Sequence, residues 1–579
     1  MYTIHLLNKQ YQKNKSFFAN QRYIFLLLII FLLMSYQSNS DDSSENNFYN
    51  EINLVLKGSG EQQLYHYSEH APFEVIVNGV TKVNDTSDNI CILEEEESNI
   101  TLKFNKDFTT FDNMFKGMNN LIEVEFVKFN SSGVSKMGFM FSECSNLESV
   151  NFGNIDTSSV IDMSYLFRDC KNLKNIELSN LDTSSVLYMD YMFYGCSSLE
   201  SINLSNFNTS NVKQMRSMFN HCLKLYSLDI SNFDLSKVTT MVYMFNNCKG
   251  LRKINFGNTS TSEVETTFAL FAGCRNLQSL DISIFDTSKV TNMNQMFKGC
   301  WALQNLNISH FNVSNVLTMS NMFYECKALR ELDLSSLDTS KVTDMAYMFF
   351  SCNNLMSINL TNINTSSVKN MSHIFSNCQK LTELNLTNFD TSLVTNMMNM
   401  FNNCENLKSI IFSDLFNTSQ VEFMSYMFNN CSSLTSIDLS NFDITKVEAM
   451  DYMFNNCTNF QYLNLSKFHS MNINTIESMF NNCKSLIYLN LISFEINEET
   501  NIKSVFNLVS PTIKFCLNGT NIITNLLNIY NYTSDCSNIC FQENVKIDLN
   551  NSQWICADNT YITTDNPNIC YNATPEGYY

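Results

Sequence analysis

Fourteen cysteines are the first residues in this chain with a spacing that could do chemistry. Eleven of them, Cys144 through Cys404, fall 26 residues apart, and Cys431, Cys457 and Cys483 continue the series after a single step of 27. A thiol at a fixed period could pack as a small apolar group, pair with its neighbour as a disulfide, or bind a metal. Zinc wants four convergent ligands, which one cysteine per period does not supply. Equivalent positions on adjacent repeats would point their Cβ atoms in parallel, a poor disulfide geometry. Cysteine is among the most buried residue types, so the expectation is a stacked, reduced core ladder. Other candidates are thinner. His66-x3-His70, with Glu69 beside it, is the one histidine pair at helical ligand spacing, and no further ligand accompanies it. The recurring Asp-Thr-Ser, as in Asp286-Thr287-Ser288, offers one carboxylate per repeat where calcium wants six or more oxygens; it reads as a turn that starts a helix. No serine–histidine–acid arrangement and no phosphate-cradling glycine loop can be traced, with only 14 glycines in the chain. The expectation is a protein without catalytic residues, cofactor or metal.

The elements that carry these cysteines repeat with them. Between Cys300 and Cys326, Leu303, Leu306, Ile308 and Phe311 are apolar, and Leu306-x-Ile308 alternates as a strand does. Val290, Met293, Met296 and Phe297 recur at i, i+3, i+6 and i+7, one face of a helix. The phenylalanine three residues before each cysteine position runs from Phe115 to Phe506. A period of this length predicts a solenoid of about 16 repeats, each one short parallel strand plus one short helix. No repeat can bury its apolar stripe alone, so the core exists only by stacking. At about 4.8 Å per rung the sheet edge would be roughly 75 Å long.

The strand pattern Leu-x2-Ile-x-Leu-x2-Phe resembles leucine-rich repeats. With Asp-Thr-Ser-x-Val-x2-Met-x2-Met-Phe-x2-Cys added, the chain resembles the BspA-like leucine-rich repeat surface proteins. That resemblance covers residues 106–509, and the copies beyond Cys457 drift, with His469-Ser470-Met471 in place of Asp-Thr-Ser. It implies an α/β solenoid displayed on a cell surface or secreted. The function it implies is adhesion, or recognition of a protein or glycan on another cell or matrix. It brings no catalytic residues. A receptor ectodomain or a structural cell-wall repeat protein is the alternative.

Seven residues after each cysteine position, one strand residue sits between two inward apolar ones and is expected on the concave face. It reads Glu125, Asn151, Glu177, Asn203, Asp229, Asn255, Asp281, Asn307, Asp333, Asn359. Stacked acids would repel one another, and an intervening amide can donate to the carboxylate beside it. The stripe is therefore a self-satisfied polar ladder, a binding surface for a basic or hydroxyl-rich partner, or both. Net charge is −20, and the first 40 residues hold Lys9, Lys13, Lys15 and Arg22 without an acid. So acidic a chain is a poor match for nucleic acid or an anionic membrane.

Residues 1–40, with a basic leader and the apolar run Ile24–Met34, read as a secretory signal or an amino-terminal anchor. Residues 41–50 read as a polar linker and 51–105 as a β-rich cap over the first rung. Residues 510–579 leave the period and hold Cys516, Cys536, Cys540, Cys556 and Cys570, candidates for extracellular disulfides. This segment resembles a cysteine-rich module that continues further. Contact with a membrane is expected only through the amino-terminal anchor or a carboxy-terminal segment beyond this sequence. Asn-x-Ser/Thr sequons at Asn84, Asn208, Asn364, Asn417, Asn518 and Asn572 are candidate glycosylation sites for a secreted protein.

Overall fold

The computed structural model describes residues 50–66, 71–82, 89–491 and 493–516, and the strand segments 545–548, 553–556, 561–563 and 566–571. Three eight-residue strands form the centre of the amino-terminal sheet, two of them in strict alternation. β1 (Asn50–Lys57) buries Ile52, Leu54 and Leu56. β6 (Glu97–Phe104) buries Ile100, Leu102 and Phe104, and β7 (Leu121–Lys128) buries Val124 and Phe126. With β3 (Glu74–Val77), β4 (Val80–Lys82) and β8 (Ser149–Asn151), they form a sheet ordered β4-β3-β6-β1-β7-β8. β1 runs antiparallel to β7, and β7 runs parallel to β8. β7 is the first rung of the solenoid, so its outer edge is hydrogen-bonded to β1 and does not end in open backbone. β2 (Gly60–Gln63) and β5 (Ile90–Leu93) make a separate antiparallel pair. Two further antiparallel pairs join Val545–Asp548 to Gln553–Cys556 and Tyr561–Thr563 to Asn566–Tyr571.

From β7 onward the chain winds as a β-solenoid of about 15 turns, and no residue among those described is helical. This corrects the helix expected in each repeat. The segment Met293–Cys300 is two consecutive tight turns. Met296 N–H bonds the Met293 carbonyl and Cys300 N–H that of Phe297, three residues back in each case. The alternate amides point out of the turn: those of Met293, Gln295, Phe297 and Gly299 donate to Thr318, Ser320, Met322 and Tyr324 on the next rung, at 2.6–3.1 Å. Gln295 and Gly299 have φ of 60° and 70°, a conformation that ends any right-handed helix. Two four-residue turns place apolar residues at nearly the spacing of two helical turns, so eight residues cannot distinguish them. Stacking then decides, because the neighbouring rung offers every free amide an acceptor, whereas so short a helix has little stability of its own.

The strand expected in every repeat is also intermittent. Three-residue strands such as Ser227–Asp229, Lys253–Asn255 and Glu331–Asp333 pair in parallel with a neighbour. Residues 175–177, 201–203, 279–281 and 305–307 hold the same register outside any strand. A second parallel ladder of single bridges runs from Lys136 to Asn501, one residue per rung.

Between these ladders lies a core of like residues stacked on like. Sixteen phenylalanines from Phe115 to Phe506 stack nearly parallel, with successive centroids 5.4–6.0 Å apart. Each ladder cysteine is fully buried and free. Its thiol donates to the carbonyl of the phenylalanine one rung earlier, as Cys300 does to Phe271 at 3.2 Å. Burial pushes the Cys300 thiol up to about 12. The threonine of Asp-Thr-Ser is buried as well. Thr183 accepts the amide of Asn208 and donates to the carbonyl of that same residue, and Thr339 does both with Asn364. Two hydrogen bonds thus staple one rung to the next. The single extra residue between Cys404 and Cys431 lies in the turn after Ile411. Asn385 still pairs with Ile411, 26 residues on, whereas Thr418 takes the place of Thr391, 27 on. Leu415 in that turn is exposed.

Candidate recognition surface

The stripe residues all reach solvent, each on the residue just outside a buried strand position. Their oxygens have a prior local role. Glu177 accepts the amide of Ser179, Asp229 that of Ser231, Asp281 that of Ser283 and Asp333 that of Ser335, at 2.9–3.0 Å. Asn151, Asn203, Asn307 and Asn359 do the same for Gly153, Ser205, Ser309 and Thr361. Each closes the turn that leaves the open face. Acid and amide interchange here because both present an oxygen two residues before the amide to be capped. The hydrogen bonds from Ser179, Ser231, Ser283 and Ser335 hold the four carboxyls below the usual carboxylate range.

The expected amide-to-acid contact between rungs forms at some steps. Asn151 donates to Glu125 at 3.2 Å, and Asn255 donates to Asp229 at 3.2 Å. A hydrogen bond from Asn359 also lowers Asp333. Asn203 and Asn307 use their oxygens on their own turns. Across three rungs the stripe forms a shallow hollow of about 690 Å³ containing Asn305, Asn307, Glu331, Asp333 and Asn359. The signal for the turn-closing role lay in the Ser, Thr or Gly found two residues after each stripe position from Asn151 to Asn359.

The Asp-Thr-Ser aspartate caps a turn and starts no helix: Asp286 accepts the amide of Ser288 at 2.9 Å, which lowers its carboxyl. The sequon asparagines Asn208, Asn364 and Asn417 occupy this position and bond Ser210, Ser366 and Ser419 in the same way. Asn208 and Asn364 are exposed and Asn417 half-buried. His66 lies in the cap, where burial and then Lys116 lower its basicity. His70, Glu69, Asn84, Asn518, Asn572, Cys536 and Cys540 lie outside the described residues. So do residues 1–49 and the side chains of Cys516, Cys556 and Cys570.

A second surface escaped the sequence reading. The corner just after each cysteine carries Lys224, Lys249, Arg252, Arg275, Lys327 and Arg330 within five successive rungs. Trp301 is clasped between Arg275 and Lys327, each 4.0 Å from the ring centre, and its indole N–H donates to Glu325 at 3.0 Å. None of the six cations forms a salt bridge among the described residues. The net charge of the whole chain concealed this segregation; the residues one, two and four places after each cysteine, read down the repeat, would have shown it.

The sequence profile of the family described as "Mycoplasma protein of unknown function, DUF285" matches this chain in overlapping copies: residues 93–177, 143–255, 170–280, 249–357, 330–415, 350–436 and 411–514. The chain belongs to the DUF285 family. Its matched copies run continuously from the last cap strands to the last stacked rung. Comparison with curated proteins finds no match. Among solved structures, this DUF285 chain is similar to a leucine-rich repeat protein from Eubacterium ventriosum, at 19% identity over 57% of this chain and 83% of that one, TM-score 0.31. It is also similar to an internalin from Listeria monocytogenes, at 14% identity over 63% and 86%, TM-score 0.18. A third is a leucine-rich repeat protein from T. pallidum, at 19% identity over 32% and 84%, TM-score 0.19. Among the described residues of the DUF285 chain, no helix is long and apolar enough to cross a membrane.

Proposed function

We propose that this chain is a non-enzymatic recognition scaffold of the BspA-like kind, secreted or displayed outside the cell, which binds a protein or glycan on another cell or matrix. The observation that carries the reading is the ladder construction. Alternate amides at the rung corners donate to the adjacent rung and the others close their own turns, leaving rows of side chains at one rung's pitch to meet a partner. Side chains held this way lose little freedom on binding, and a repeated row binds through many weak contacts at once. Thiols shut inside the core are compatible with an oxidising exterior.

Two measurements test it. Tagged protein on intact cells should be removed by surface protease; full protection in an intact cell would refute display. Adhesion of purified protein to matrix or cells should then weaken several-fold in the triple variant Asp229→Asn, Asp281→Asn, Asp333→Asn, with less dependence on salt. The fold should survive, because Asn151 and Asn203 already close the same turn. Unchanged adhesion by the folded variant would remove the stripe from the binding surface.

A further inference from the structure

In an acidic protein the basic corner stands out, and only Arg275 and Lys327 among its six cations pack on an aromatic ring of the described residues, that of Trp301. Its cations form no ion pairs among the described residues, and the backbone beside them is tied to the neighbouring rung. The amides of Gly250, Arg252, Ala302, Ala328 and Arg330 donate to carbonyls one rung earlier. From Lys224 to Lys380 the row crosses six rung steps, about 29 Å at the strand spacing. Glu200, Glu325 and Glu331 border it, and Lys253 faces Asp229 on the open side, so the positive row is narrow. Beside it lies a small hollow of about 200 Å³ lined by Gln304, Ala328, Arg330, Asn354, Met356 and Lys380. It joins two cations, two amides and an apolar floor on which Met356 is 49% exposed.

We propose that this corner binds a linear anionic glycan, one bearing sulfate or uronic acid groups. A single positive row with one cationic site every rung or two fits a single-stranded polyanion whose charges recur along its length. The hollow adds what a sugar requires: amides for hydroxyls, Arg330 and Lys380 for an acidic group, and the Met356 side chain under a ring. Nucleic acid fits less well. Both faces of Trp301 are occupied by Arg275 and Lys327, so no base can stack there, and a duplex would meet acidic surface on either side of one narrow row. This gives the recognition reading a partner class and rests on that reading only for where the partner is met.

The test is titration of the full chain with sulfated heparin oligosaccharides, hyaluronan, neutral dextran and poly(U) RNA. The anionic glycans should bind and dextran should not. The variant Lys249→Gln, Arg252→Gln, Lys327→Gln, Arg330→Gln should bind at least about tenfold more weakly, and its log–log salt slope should fall by about 3. A variant with the same charge change on another corner, Lys237→Gln, Lys289→Gln, Lys341→Gln, Lys446→Gln, should bind like the parent. Met356→Ala should lose affinity several-fold without altering the slope. Equal loss in both quadruple variants, undiminished binding by the first, or RNA bound as tightly as glycan would each overturn the proposal. Circular dichroism and the thermal midpoint confirm that each variant is folded. Adhesion that persists while glycan binding is absent would overturn this inference and leave the scaffold reading standing.

Discussion

Two neighbouring positions at one corner of the rung are stacked by different chemistry: the residue five before the cysteine by rings, the residue two before it by amides. In the earlier rungs Phe139, Tyr165 and Tyr191 stack at 4.3 and 4.7 Å, and further on Tyr347 stacks on His373 at 4.2 Å. In the later rungs Tyr426 still stacks on Tyr452, at 4.6 Å, while the residue two before each cysteine position is asparagine. Asn429 donates to Asn402, Asn455 to Asn429, Asn481 to Asn455 and Asn507 to Asn481, at 2.6–3.0 Å. A second chain beside it joins Asn403 to Asn377 and Asn482 to Asn456. Both solutions place a group beneath a copy of itself, and both groups are self-complementary: rings by offset stacking, amides because each donates and accepts. Carboxylates are not self-complementary, and on the open face they alternate with amides. The backbone therefore asks for stacking, and the chemistry of each side chain decides whether like may follow like.

The comparison is broken most severely from inside. Phe297→Ala removes a ring packed between Phe271 and Phe323 and should cost about 3–5 kcal/mol in urea unfolding. A loss below 1 kcal/mol would mean that the rungs close over the gap and that the ladder has little energetic weight. The unfolding transition should also lose cooperativity, because each rung touches only its neighbours. Thr287→Val keeps the shape but strips the hydroxyl that donates to the Asn312 carbonyl at 2.9 Å; about 1–3 kcal/mol is expected. Val313, Leu235 and Ile444 occupy this position naturally, so a value near the lower bound would show how those rungs manage.

The smallest effect concerns His373, whose basicity burial lowers to about 4. The unfolded chain binds its proton near pH 6.5, the folded chain only near 4. Between those values the unfolded state holds more protons, so stability is full above about pH 6.5 and declines as pH falls toward 4. A histidine titration by NMR should find the low value. His373→Phe, which restores the ring pair seen at Phe139 and Tyr165, should flatten stability across that window; an unchanged pH profile would assign the slope to other groups. The turn-closing carboxyls act lower on the scale, with a contribution intact above about pH 4 and lost as pH falls through their depressed values.

Much of the interior was legible from the period. Positions such as Phe297, Cys300 and Leu303 were marked as core by recurrence alone, and they are buried. The conformation between them was not legible. Met293, Met296, Phe297 and Cys300 satisfy a helix and a pair of turns equally well, and the deciding acceptors belong to a rung 25 residues away. Thr287 is another case. Threonine is equally at home on a surface turn, so its burial between two rungs left no local signal. The residues of the stripe from Glu125 to Asn359 are exposed, and the sequence reading assigned their oxygens to neighbours across the sheet before their own turns. The basic corner was missed because an overall charge says nothing about where the charges lie.

The thiol ladder has a consequence in time as well as in space. A reagent cannot reach a cysteine that is fully buried and whose thiol burial keeps protonated, as at Cys300. Each thiol therefore reacts only while its own rung is open, and the fourteen together keep a site-by-site record of opening along the solenoid. Alkylation over hours, read by mass spectrometry, would order the rungs by how often they part. The thiols beneath the capped amino-terminal edge and those near the drifting final copies mark the two ends of that scale.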